Sequence, residues 1–378
     1  MSTGELSVEL AGMGRADIEL RAFFDASARS LAQQTPAWRD VIARIGADEP
    51  LFLVCRRGAG DIVGVLPAYR FEGRLGALLT SVPQPGPLGG IACAGDCEPE
   101  PVYRALLTAF VELAAERGCA LASLISNPIW PDRELYERWL APDYVLENSC
   151  LVLDLELALD ASGRPTATKS ALRRNLRKAE SGALDIDEEQ TAANVDAWYE
   201  IHATRHREIG ATPLPHQLFR AALECAVPRG KARFFFVRLS AGGEMVAGGF
   251  YLCHGSVIDA FMPSLRSEFA DLGPNYLLAL HSMQWARARG LRWYNWQASP
   301  PDGGVARFKR QWGSREHPYC YLTRVTGDVG PFLASTPEEL AAEYPWHYVL
   351  PYDRLGSDEA AAAPSSREAA WRALEARR

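Results

Sequence analysis

Three apolar segments with glycine turns between them restrict this chain more than any other feature. Lys231 to Leu239, Glu244 to Cys253 and Val257 to Met262 are joined through Gly242-Gly243 and His254-Gly255, the spacing of an antiparallel meander. Beyond Met262 the pattern changes. Asn275 to Arg289 has helical periodicity, Gly290 stops it, and Arg292 to Gln297 is again strand-like. A helical connection between strands implies layers, with helices lying on a sheet.

The first half alternates in the same way. Ile18 to Gln33 and Pro36 to Ile45 have helical spacing, and Leu51 to Arg56 with Asp61 to Tyr69 makes a hairpin around Gly58 and Gly60. Ser81 to Gly90 carries too many prolines and glycines for a regular element and reads as a shaped loop. Pro99 to Arg117 and Asp132 to Leu140 are predicted helices; Leu121 to Ile125 and Tyr144 to Leu155 are predicted strands. After a break at Asp160 to Thr168, Thr168 to Glu180 and Asn194 to Arg207 read as helices. Val305 to Trp312 reads as a short helix and Tyr319 to Val325 as a strand. A chain of 378 residues exceeds one ordinary core, so the expectation is a domain at 1–158, a second at 159–330 and a tail at 331–378. In the tail, Ser365 and Glu368 have capping-box spacing before a final helix to Arg378.

Charge and cysteine content narrow the function. A net charge of −7 argues against a surface that grips nucleic acid everywhere, though a local basic patch remains compatible with it. No apolar run is long enough to span a membrane and Met1 to Leu20 lacks a leader pattern, so the expected location is cytoplasmic. The eight cysteines are scattered, several in apolar strands, and read as reduced core thiols. Cys93 and Cys97 are close in sequence, but no second pair completes a ligand set, and no metal site is expected.

Three segments carry a family resemblance. Leu172-Arg173-Arg174-Asn175-Leu176-Arg177-Lys178-Ala179 followed by Gly182 resembles the basic helix of FemAB-like peptidyl and aminoacyl transferases and their CelD-like relatives in the GNAT superfamily. Leu272-Gly273-Pro274-Asn275, leading into Tyr276, resembles the loop and helix those families place after a central strand. Arg307-Phe308-Lys309-Arg310-Gln311-Trp312-Gly313 resembles their late Phe-Lys and Trp-Gly segment. In the first half, Gly86 to Ile91 is similar to the family's N-terminal glycine-rich loop. The resemblance implies an α/β (α+β) fold of two tandem GNAT-like domains, each a mixed, mainly antiparallel sheet flanked by helices. Against the acetyl-CoA pattern of GNAT enzymes, Arg266 to Asn275 offers a single glycine where a glycine-rich pyrophosphate loop is usual.

An amide-forming transferase needs an amine set against an activated acyl carbonyl, a donor for the oxyanion and anchors for the donor's phosphates. Lys309, Asn295 and Asp259 are the catalytic candidates, Asp259 because a carboxylate inside an apolar strand must pair or serve a site. Arg173, Arg174, Asn175, Gly273, Asn275, Tyr276, Gln297, Arg307, Phe308 and Trp312 are the substrate-binding candidates. Each has a plainer reading. The basic residues of 169–177 suit a solvated helix face, and Phe308 with Trp312, at i and i+4, suits a core stripe. The histidines show no Ser or Cys partner at triad spacing, which leaves a nucleophilic hydrolase unsupported.

The expected activity is therefore N-acyl transfer to an amine-bearing small molecule or peptide, with charged tRNA as donor and no bound metal or cofactor. The first alternative is an acyl-CoA-dependent N-acetyltransferase acting on a small molecule or polysaccharide precursor. The second is a non-catalytic binding protein that keeps the fold.

Overall fold

The computed structural model describes residues 5–11, 15–46, 48–58, 60–81, 88–167, 169–299, 302–344 and 347. Most of the Ser81 to Gly90 loop, and the Ser365/Glu368 box with the final helix, lie outside the described residues. The chain divides into two compact units, one of residues up to Asn148 together with Pro318 onward, the other Ser149–His317.

In the first unit, β1 (Leu6–Leu10), α1 (Arg15–Ala26) and α2 (Pro36–Ile45) precede the meander β2 (Glu49–Arg57), β3 (Ile62–Gly73) and β4 (Gly76–Thr80). The short strand β5 (Ala92–Cys93) pairs with β3. Helix α3 (Pro99–Glu116) then leads to β6 (Cys119–Ile125), which runs parallel to β4, and α4 (Arg133–Leu140) comes after it. Next along the chain come β7 (Tyr144–Asp154) and the second unit. It contains α5 (Leu155–Ala158), α6 (Ser170–Ala179), β8 (Leu184–Asp187), α7 (Ala192–Glu208), α8 (His216–Cys225), β9 (Ala232–Leu239), β10 (Met245–His254) and β11 (Val257–Leu265). It continues with α9 (Pro274–Ala288), β12 (Trp293–Ala298) and α10 (Gly304–Gln311). Strand β13 (Arg315–Val325), α11 (Gly330–Leu333) and α12 (Pro337–Glu343) complete the described chain.

Each unit repeats one topology. Four antiparallel strands (β1 to β4, and β8 to β11) are followed by a helix, then by a strand parallel to the fourth (β6, and β12). A closing antiparallel strand completes each set, and its source is the reason the units are not consecutive segments. Residues 150–154 of β7 pair with β12 in the second unit, whereas 321–325 of β13 pair with β6 in the first. The compact units accordingly break after Asn148 and His317, where the linear expectation divides the chain at 158/159 and 330/331.

The meander of the second unit forms where expected, because β10 is buried along its whole length between β9 and β11, as an apolar central strand requires. Its core joins Leu151 and Leu153 of β7, Leu172 and Leu176 of α6, Val246 and Tyr251 of β10, Leu278 and Met283 of α9, and Trp296 and Trp312. One helix departs from expectation. The predicted Ile18 to Gln33 element is α1 ending at Ala26, with a separate 3-10 turn at Ala32–Gln34. Ser30 Oγ donates to the Ser27 carbonyl and Gln34 Oε1 accepts from the Leu31 amide, so side chains take backbone groups the helix would need.

Candidate functional site

The parallel step of the second unit opens early. Strands β11 and β12 pair at Val257–Trp293, Ile258–Tyr294 and Asp259–Asn295, yet β11 continues to Leu265 and β12 to Ala298. In the first unit the corresponding pairing persists to Thr80, the last residue of β4. A parallel pair that parts beyond its third rung leaves a wedge at the carboxyl ends of the strands, the end where α/β sheets receive ligands.

Asp259 and Asn295 occupy the last rung, both essentially fully buried. Asn295 Nδ2 donates to Asp259 Oδ1 at 2.6 Å, and Gln297 Nε2 donates to the same oxygen at 2.9 Å. The Gln297 backbone amide donates to Asn295 Oδ1 at 2.9 Å, so the Asn295 amide is held at both ends. Gln297 itself sits at φ +63°, a left-handed conformation that costs a non-glycine residue about 1 kcal/mol. The irregularity in β12 between Asn295 and Ala298 lies against β7 at the same place. This twist turns two successive carbonyls toward α10, where Lys309 Nζ donates to Gln297 O at 3.1 Å and to Ala298 O at 3.3 Å. Lys309 is only 7% exposed, and an ammonium so covered persists only with such oxygen partners.

Helix α9 starts at the same end of the unit. Gly273 caps it at φ +75° with Pro274 at the first helical position. A Cβ on Gly273 would lie 3.4 Å from Ala179 Cβ, so the glycine lets the start of α9 approach α6. Asn175 Nδ2 donates to Tyr276 Oη at 2.7 Å, and Tyr276 Oη donates to Gln311 Oε1 at 3.4 Å. The Tyr276 ring also meets the Phe308 ring edge-on, centroids 5.0 Å apart. The three motif segments, α6, the start of α9 and α10, thus converge on one tyrosine.

Within these segments exposure divides the roles. Arg173, Arg174 and Arg307 are exposed, and Asn175, Asn275, Tyr276, Gln297 and Phe308 are half-buried. Trp312 is 2% exposed and packs with Trp296 and Phe308, as a core stripe does. Lys169 caps α6 and donates to the Arg310 carbonyl at 3.4 Å.

Sequence reasoning passed over two neighbours. Cys150, opposite Ala298 in β7, hydrogen-bonds with Asn295; burial and the Asp259 carboxylate push its thiol up, while Lys309 and the Asn295 bond pull the other way. No spacing could flag it, because strand pairing alone brings it there. Ser314 accepts from Trp296 Nε1 at 2.7 Å and donates to the Lys309 carbonyl at 2.9 Å, fixing the end of α10. It stands two residues beyond Trp312, just past the end of the Phe-Lys and Trp-Gly segment. Among the described residues no cluster of three or more His, Cys, Asp or Glu could hold a metal ion. Nor is any helix there long and apolar enough to cross a membrane.

The sequence model of the family described as "Acetyltransferase (GNAT) domain" matches residues 166–310, a stretch that contains α6, the wedge and Lys309. No curated protein sequence matches the chain. Among solved structures the chain is similar to FemX, at 14% identity, over 83% of this chain and 97% of that one, with a TM-score of 0.65. It is also similar to L-PGS from Bacillus licheniformis, at 13% identity, over 83% and 93%, with a TM-score of 0.56. A third is a tandem GNAT protein from the clavulanic acid biosynthesis pathway, at 14% identity, over 86% and 99%, with a TM-score of 0.52. At such identities the likeness is one of fold, and it extends over both units. With its acetyltransferase domain at 166–310 and a fold shared with FemX and tandem GNAT proteins, the chain belongs to the GNAT acyltransferases, in their FemAB-like branch.

Proposed function

We propose that the wedge of the second unit transfers an aminoacyl group from charged tRNA to a primary amine, forming an amide without a covalent enzyme intermediate. The observation that carries the reading is Lys309, a covered cation fixed by two backbone carbonyls at the strained end of β12. The donor class rests on the resemblance of the α6, Gly273-Pro274 and Phe308-Lys309 segments to the FemAB-like transferases.

The amine nitrogen attacks the ester carbonyl of the donor, the C–N bond forms and negative charge gathers on the former carbonyl oxygen. Collapse expels the ribose oxygen of the tRNA, which takes the proton lost by the amine. Lys309 supplies a preorganised positive charge for that oxyanion, the kind of interaction whose loss costs about 100- to 1000-fold in rate. Asp259 and Asn295 act as positioning residues, because their hydrogen bonds hold Gln297 in the conformation that aims its carbonyl at Lys309. Arg173, Arg174 and Arg307, all exposed, serve the donor's phosphates, with Asn275 and Tyr276 at the helix start beside them.

An acyl-CoA donor is the second reading, favoured by the Gly273-Pro274 start of α9, since free amides at a helix N-terminus suit a pyrophosphate. One experiment separates the readings. The protein is incubated with charged tRNA and, separately, with acyl-CoA, each with a panel of primary amines, and loss of the acyl group is followed. Discharge of the tRNA with amide formation supports the proposal; discharge of acyl-CoA alone replaces the donor. If both donors remain intact while one still raises thermal stability, the chain is a binding protein.

A further inference from the structure

The cysteine pair that no metal reading absorbs lies in the first unit, whereas the wedge belongs to the second. Cys93 ends β5, and a tight turn, closed by Cys97 N donating to Ala94 O at 3.4 Å, brings Cys97 back to it. The two thiols hydrogen-bond to each other. Cys97 Sγ also donates to Ala94 O at 3.1 Å and Val63 O at 3.5 Å, so the sulfur is tied to the turn on one side and to β3 on the other. Both cysteines are half-buried, in contrast to Cys55, Cys119, Cys150, Cys253 and Cys320, which are buried.

We infer that Cys93 and Cys97 form a reversible dithiol–disulfide site, with Cys97 the attacking sulfur and Cys93 the resolving one, oxidised by a low-molecular-weight disulfide. The groups around the pair set this order. The Cys93 thiol bond holds the Cys97 thiol down at about 7; Arg57 and the Cys97 backbone amide act in the same direction, against burial and Asp96. Cys93 is pushed up by that same bond, by burial and by Cys97, Asp132 and Cys55. Near neutral pH Cys97 thus carries the thiolate and Cys93 the proton.

The exchange balances. The Cys97 thiolate attacks one sulfur of oxidised glutathione, forms a mixed disulfide and releases one glutathione thiolate. Cys93 then loses its proton and attacks Cys97 Sγ. The Cys93–Cys97 bond forms, the second glutathione leaves as a thiolate and takes that proton. Two protein thiols are oxidised and one glutathione disulfide is reduced to two thiols. The product would tie the turn after Leu88 to Ile91, whose Gly90 carbonyl and Ile91 amide are held by Gln34 and Tyr136.

The test uses the full chain in glutathione buffers of graded oxidised-to-reduced ratio, acid-quenched, alkylated and mapped by peptide mass. The expected result is loss of two hydrogens from the one tryptic peptide that holds both cysteines, reversed by reduced glutathione, while the buried cysteines stay alkylatable after unfolding. In Cys93→Ser the mixed disulfide should be trapped on Cys97; in Cys97→Ser neither adduct nor disulfide should form at this peptide. Iodoacetamide should label Cys97 with a midpoint near pH 7 rather than the ordinary thiol value of about 8.5. Two unmodified thiols in the wild type under a fully oxidised buffer would overturn the inference. So would glutathione stably retained on Cys97 beside an intact Cys93, or a bond from Cys97 to Cys55.

Discussion

Asp259 Oδ1 accepts the Asn295 side-chain amide at 2.6 Å across the last paired rung of β11 and β12, at the point where the two strands part. Because Gln297 Nε2 uses the same oxygen, one carboxylate holds both sides of the wedge. Asp259→Ala strands two amide donors, one of them fully buried, and is expected to cost about 2–4 kcal/mol in urea unfolding. Asp259→Asn should cost less than the alanine change, because an amide oxygen still accepts. Equal costs for the two variants would show that the carboxylate's acceptor role is unimportant.

Gln297 offers a separation of backbone strain from side-chain bonding. Gln297→Gly relieves the left-handed φ, a gain of about 1 kcal/mol, and loses one hydrogen bond to Asp259, a loss of similar size. Stability should therefore stay within about 1 kcal/mol of wild type, measured by denaturant midpoint at constant slope, while acyl transfer falls because the carbonyls that hold Lys309 are freed to move.

Tyr276 and Trp312 divide binding from packing. Tyr276→Phe removes the hydroxyl that joins Asn175 to Gln311 and should cost about 1 kcal/mol with the fold intact. Trp312→Ala empties a buried site among Trp296, Phe308 and Tyr276, and should cost about 3–5 kcal/mol. Comparable thermal unfolding of the two variants would contradict this division.

His202 predicts the acid limb of stability. It is fully buried and holds Ser264 at 3.3 Å; burial, and secondarily His206, push its pKa from 6.5 down to about 3. A depressed histidine keeps its contribution above the unfolded value and loses it as pH falls, because below 6.5 the unfolded chain takes up a proton that the native chain refuses. The slope is about 1.4 kcal/mol per pH unit between 6.5 and 3. Asp132 works oppositely. Burial raises it from 3.8 to about 6, so its contribution is fully present below 3.8 and lost as pH rises through 6. The difference profile of wild type minus His202→Gln isolates the histidine, and a flat difference between pH 6.5 and 4 would contradict the assignment.

The meander, the helix after it and the strand beyond Gly290 were legible because glycine turns and apolar periodicity are local signals. The tandem fold was legible through three motifs. The features that escaped were non-local. No local pattern could say that β7 closes the second unit and β13 the first, because the exchange depends on pairing between segments far apart in sequence. Helix α8 was missed because its buried residues, Leu218, Phe219, Ala221 and Ala222, are mostly short and come after a proline-rich turn. In the wedge, residue types pointed to Asp259, Asn295 and Lys309, but the contribution of Gln297 lies in its backbone angle, which no residue type announces.

The central claim is tested most directly by the rate at which charged tRNA passes its amino acid to a primary amine, compared between wild type and Lys309→Ala at matched folded fraction. Loss of the fixed ammonium should slow transfer at least about 100-fold while donor binding changes little. A variant that remains folded and transfers at the wild-type rate would remove Lys309, and with it the wedge, from the chemistry.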